Sequence, residues 1–161
     1  MSAHELSALL WRERELLETL VFKLEEEQLL LAAGRTRWLK RASSEIQRTT
    51  EELRFVGLGR SVEVENVGEE WGAGADATLR HLLDVAPNGP WSGIFETHLS
   101  ALTDLTTQIQ VLRDSNAQFL RAASRSAQET LDNVVGSPRT YDAQGRSGAS
   151  PAQSRLLDKD I

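Results

Sequence analysis

Between Trp91 and Val135 the apolar side chains recur at steps of mostly three and four: Phe95, Leu99, Leu102, Leu105, Ile109, Leu112, Phe119, Ala123, Ala127, Leu131 and Val134, with Asn116 standing in the series. That spacing lines one face of an α-helix, and no proline lies between Pro90 and Pro138 to stop it. At about 1.5 Å per residue a helix over 91–135 is roughly 65 Å long. The whole chain has 161 residues, enough for one domain. A compact fold of that size cannot cover such a rod. The expectation is therefore an all-α, elongated antiparallel bundle or coiled-coil hairpin with a long C-terminal helix. Only 6% aromatic residues agrees with a slender body.

The partners of that helix lie upstream. Leu6, Leu10, Leu17, Leu20, Leu24 and Leu31 form a heptad-like stripe with Glu13 and Glu27 in the two missed places, widened by Leu9, Leu16 and Leu30. This predicts a helix over about 3–33, ended by Gly34 as a left-handed C′ residue and followed by Thr36 as a cap. A weaker stripe through Leu39, Ala42, Ile46, Thr49, Leu53 and Val56 predicts a second helix over 36–56, interrupted by Gly57 and Gly59. From Glu63 to Asp76 five acidic residues, no basic one and three glycines read as fraying helix passing into a mobile loop. Thr78 is placed to cap a short helix over 78–86, which Pro87-Asn88-Gly89-Pro90 stops; Pro90 then pre-sets the backbone for Trp91. Residues 1–136 thus form the helical domain. Residues 137–161, rich in Ser, Gly and Ala, read as a flexible, disordered tail. No solenoid repeat is present.

The composition excludes several functions. Eighteen Lys+Arg against 24 Asp+Glu give a net charge of −6, which repels phosphate backbones and anionic lipids, so no nucleic acid is expected. The apolar run Leu29–Ala33 is far too short for membrane insertion, and the start MSAHEL lacks a basic n-region. A cytoplasmic protein is expected. With no cysteine, and with His4, His81 and His98 scattered, no metal site is expected. No serine sits in a GxSxG elbow, and Gly57-Leu58-Gly59-Arg60 lacks the P-loop lysine, so neither catalysis nor a cofactor is expected.

What remains is surplus amphipathic length. The first two helices can cover about 30 residues of the last, leaving two or three turns for a partner or dimer mate. Phe119, Leu120, Ala123, Ala127, Leu131 and Val134 lie there. Asn116 has two readings: it fixes register inside the bundle, or it bonds to a bound helical segment.

The order of local motifs resembles the FlgN-type flagellar export chaperones. The acidic leucine-rich first helix closes in LLLAAG; Asp76-Ala77-Thr78-Leu79 follows; Pro90-Trp91 opens the long helix; Leu112 to Leu120 is similar to a Leu-x-x-x-Asn-x-x-Leu-Leu pattern; and Thr140-Tyr141 with Gly145 closes it. The resemblance covers roughly Leu6 to Arg146. It implies a non-enzymatic cytoplasmic chaperone of flagellar type III secretion, binding hook-associated proteins of the FlgK and FlgL type and passing them to an export-gate component of the FlhA type. It further implies that the last helix and the region after it hold the helical C-terminal segment of the cargo, through Ile109, Leu112, Asn116, Phe119, Leu120, Ala123, Ala127, Leu131, Val134 and Tyr141.

Two other readings stand beside it. One is a structural coiled-coil adaptor or homodimer. The other follows from Trp91-Ser92-Gly93, a WxG triplet that small secreted helical hairpins place in their turn; here the surrounding chain is much longer.

Overall fold

The structure, a computed structural model, describes residues 2–74 and 76–135; Tyr141 and the expected tail over 137–161 lie outside the described residues. Four helices follow in order: α1 (Ser2–Ala32), α2 (Thr36–Trp71), α3 (Leu79–Val85) and α4 (Trp91–Val135). There is no strand among the described residues. The chain divides into two units, Met1–Phe119 and Leu120–Ile161.

In the first unit α1 and α2 form a hairpin whose turn is built as the glycine predicted. Gly34 takes φ 63°, and the amides of Gly34 and Arg35 donate back to Leu31 O and Leu30 O at 3.1 and 2.9 Å. This is a Schellman closure, which favours glycine because a side chain at positive φ is strained. Thr36 does not cap α2. It is the first helical residue, and Arg35 occupies the cap without a side-chain hydrogen bond.

The second helix departs most from expectation. It does not end at Val56 but continues through Gly57, Gly59 and most of the acidic stretch to Trp71. The reason is tertiary: Val64 and Val67 are buried with Leu6, Leu10 and Phe95 in one core cluster. Each helical glycine costs about 1 kcal/mol, whereas burying a valine side chain returns about 1.5–3 kcal/mol. The helix stops one turn later at Gly72, with φ 77°, in a second closure where the Ala73 amide donates to Gly68 O at 2.8 Å.

After the connector, the Thr78 hydroxyl accepts from the His81 amide at 3.2 Å and caps α3, whose Leu79 and Leu82 turn into the same core. Pro90 directly precedes α4, and its carbonyl accepts from the Ile94 amide at 3.1 Å. Trp91 and Gly93 therefore sit in the first turn of a helix, not in a hairpin turn. Trp91 lies 5.6 Å from Phe95 between ring centres, and Trp71 lies 5.7 Å from it. A second cluster, Leu20, Leu24 and Ile109 with Ile46, Leu53 and Leu112 against it, joins α1, α2 and α4 further along.

The glycines of α2 make opposite predictions. A Cβ on Gly68 would stand 2.7 Å from Ala77 Cβ and 3.1 Å from Gly74 O, whereas one on Gly57 would meet nothing within 4 Å. Gly68→Ala is expected to destabilise by about 1–3 kcal/mol through overpacking, and Gly57→Ala to stabilise by about 0.5–1 kcal/mol. Urea unfolding of the two variants followed by circular dichroism checks the opposite signs.

Candidate functional site

Both acidic interruptions of the α1 stripe are buried or nearly so, and both find partners on other helices. Glu27, 8% exposed, accepts the Ser43 hydroxyl of α2 at 3.0 Å on Oε1 and the Asn116 amide of α4 at 2.9 Å on Oε2. The same Asn116 Nδ2 donates its second hydrogen to Leu24 O at 3.0 Å, and Gln28 Nε2 donates to Ser115 Oγ at 2.8 Å. A polar layer thus spans three helices. Two heptads earlier, Glu13 pairs with Arg60 of α2 at 3.3 Å. Burial pushes the Glu13 carboxyl above its usual range, and the Arg60 guanidinium only partly opposes this.

The sequence grouped Ile109, Leu112 and Asn116 with the exposed binding stripe. In the structure Ile109 and Asn116 are 7% and 3% exposed, and Leu112 packs on the Leu20–Leu24–Ile109 cluster, apart from the exposed residues further along. Asn116 Nδ2 makes the contacts of a register-setting residue, while its Oδ1, equally buried, has no hydrogen-bond partner.

Phe119, the last residue of the first unit, is 42% exposed. In the second unit, residues 120–135 are helical and every one is exposed, Leu120 at 45%, Leu131 at 57% and Val134 at 73% among them. With Ala123 and Ala127 these residues share one helix face. The backbone there is reinforced locally, Gln128 donating to Asp132 at 2.9 Å and the Thr130 hydroxyl to Ser126 O at 2.9 Å.

A concavity of about 570 Å³ in the first unit went unnoticed in the sequence. Arg60 of α2, Leu79 of α3 and Leu99, Leu102 and Val111 of α4 surround it, with Thr103, Thr106 and Thr107 on one wall. Its residues come from three helices with no shared sequence pattern, and so carry no local signal.

His98 invites comparison with a catalytic base, since Ser7 Oγ lies 3.5 Å from its Nε2. Its Nδ1 has no hydrogen-bond partner to orient the ring as a catalytic base requires, and Trp11 packs edge-on at 5.0 Å. Among the described residues no group of three or more His, Cys, Asp or Glu could hold a metal ion, and no helix is long and apolar enough to cross a membrane.

An all-helical chain whose polar residues are spent on internal register, and whose last helix ends in an exposed apolar face, has the makings of a helix-binding protein. The sequence model of a protein family described as FlgN protein matches residues 1–148, and the chain belongs to that family. The family is one of flagellar export chaperones that bind hook-associated proteins, not of enzymes. No curated protein and no solved structure matches the chain.

Two stability predictions follow from the buried polar groups. Burial first, and Arg14 second, hold the His98 ring below its usual protonation range. A lowered histidine value means stability that is complete above about pH 6.5 and is lost as pH falls through the lower folded value. His98→Leu is therefore expected to flatten the fall in melting temperature between pH 7.5 and 5, measured by circular dichroism. Asn116→Asp sets a second carboxylate beside Glu27 and is expected to cost about 3 kcal/mol or more at pH 7. The loss should shrink towards pH 4, where one proton can bridge the pair.

Proposed function

We propose that this protein is a cytoplasmic chaperone that holds the helical C-terminal segment of FlgK- or FlgL-type junction proteins on the exposed apolar face of α4. Leu120, Ala123, Ala127, Leu131 and Val134 form the contact, with Phe119 before them and Tyr141 in the segment that follows. One observation carries the reading: the whole of 120–135 is exposed although it keeps an apolar stripe. A stripe of that kind on a helix is stable in water at some cost, and a partner helix laid along it removes that cost. Membership of the FlgN family supplies the class of cargo.

The action is physical, not chemical. An amphipathic cargo end left free associates with other copies, so covering its apolar face keeps it unassembled. Ordering a cargo segment on binding consumes about 2–5 kcal/mol of the gross interaction, which keeps the complex loose enough to be surrendered at an export gate of the FlhA type.

Leu131→Gln with Val134→Gln replaces the apolar ends of the two side chains with amides, without altering charge or lowering helix propensity. The double variant is expected to bind a FlgK or FlgL C-terminal segment at least about tenfold more weakly by isothermal titration, a loss of about 1.4 kcal/mol. The unfolding midpoint of the first unit should not move. Unchanged affinity would remove this face from the reading.

A further inference from the structure

The chain carries a net charge of −6, yet between Arg35 and Arg48 it has five basic residues and one acidic one. They span the end of the α1–α2 turn and the first turns of α2, and all five cations are exposed. Arg37, Arg41, Ser44 and Arg48 follow one another at steps of four and three, on one helix face roughly 16 Å long. With Trp38, Lys40 and Glu45 they surround a concavity of about 530 Å³. The Glu45 carboxylate is already occupied, by Lys23 of α1 and by Arg41 at 3.1 Å. Arg35, Arg37, Lys40 and Arg48 take part in no ion pair among the described residues.

The same end of the hairpin exposes apolar surface. Trp38 is 44% exposed, and Leu29, on the other side of the Gly34 turn, is 71% exposed. The Arg37 guanidinium lies over the Trp38 ring, 4.9 Å from its centre. An indole is apolar in its body and polar at its N–H, so it settles at the level of lipid headgroups, where adjacent Lys and Arg side chains meet phosphates.

We propose that this end of the α1–α2 hairpin is a membrane-docking patch, which binds the phosphate headgroups of anionic phospholipids through Arg35, Arg37, Lys40, Arg41 and Arg48 while Trp38 and Leu29 enter the headgroup layer. The overall charge of −6 does not oppose this, because salt screens charges more than about 8–10 Å away and leaves the local cluster in control. The next carboxylates along the two helices, Glu25 to Glu27 on α1 and Glu51 and Glu52 on α2, stand further back from the turn than Leu29 and Trp38. A planar anionic surface brought to the turn therefore meets cations and apolar side chains first. A nucleic acid laid along the arginine face would run on past Glu51 and Glu52, which repel it, and would gain nothing from Leu29.

Each Lys or Arg beside an anionic bilayer raises partitioning about fivefold, so the four unpaired cations together give a preference over a neutral bilayer on the order of several hundredfold. The contact is peripheral and reversible, since no helix among the described residues is long and apolar enough to cross a membrane. This surface lies within the first unit and is independent of the chaperone reading.

Co-sedimentation of the full chain with vesicles tests the proposal, with circular dichroism to verify unchanged helicity of every variant. At about 0.1 M salt the wild type is expected to pellet with phosphatidylcholine vesicles that contain about 40% phosphatidylglycerol, not with phosphatidylcholine alone, and to be released at about 0.5 M salt. Arg37→Gln with Lys40→Gln is expected to weaken partitioning at least about tenfold, and Trp38→Gln about threefold or more. Arg54→Gln with Arg80→Gln removes the same charge from exposed arginines outside the patch and is expected to change partitioning by less than about twofold. No binding to the phosphatidylglycerol vesicles overturns the proposal, and so does a patch variant that binds as the wild type or no more weakly than the Arg54 and Arg80 variant. If vesicles fail to bind and a single-stranded RNA of about 30 nucleotides binds instead, with loss in the patch variant, the cations serve nucleic acid and the membrane proposal is overturned.

Discussion

Burial of the α1 leucine stripe is the constraint on which the first unit rests. Leu6, Leu10, Leu20 and Leu24 are all at most 3% exposed, and they are covered from different elements: α2, α3 and α4 near the start of α1, α2 and α4 further along. At about 1.5–3 kcal/mol for each buried leucine, this one seam outweighs the helical glycines of α2 and the polar groups that interrupt it. It also explains why α2 is as long as it is. Its second half is held in helical form by Val64 and Val67 meeting α1, not by local preference.

The seam alone would leave the helices free to slide. Leucines at steps of three and four fit one another in several registers. Glu27 removes that freedom, because its two oxygens are satisfied only where Ser43 and Asn116 arrive together. A slip of one turn would strand a buried carboxylate, at a cost that apolar contacts of similar size cannot offset. The Glu13–Arg60 pair acts in the same sense on α1 and α2 alone, with Arg60 the more exposed of the two partners.

Beyond this anchored body the same helical pattern serves a different purpose. Ile109 and Leu120 look alike in the text: each is an apolar residue on the face of one continuous helix. One is buried and the other is 45% exposed. The pattern reports which face of α4 is apolar and cannot report what covers it, and this is why Ile109, Leu112 and Asn116 were joined in the sequence to residues that the fold leaves open.

The sequence by itself determined the class of fold, the hairpin turn at Gly34, the cap at Thr78, the start of α4 after Pro90 and the family of chaperones to which the chain belongs. These are written in short-range terms: side-chain period, the left-handed freedom of glycine, the fixed φ of proline, and the order of local motifs. Tertiary structure alone decided where α2 ends, which seam residues are core, and that two glutamates in apolar positions are anchors. Each of those outcomes depends on atoms tens of residues apart meeting in space, where the desolvation of a carboxylate or the burial of a valine exceeds any preference the local sequence expresses.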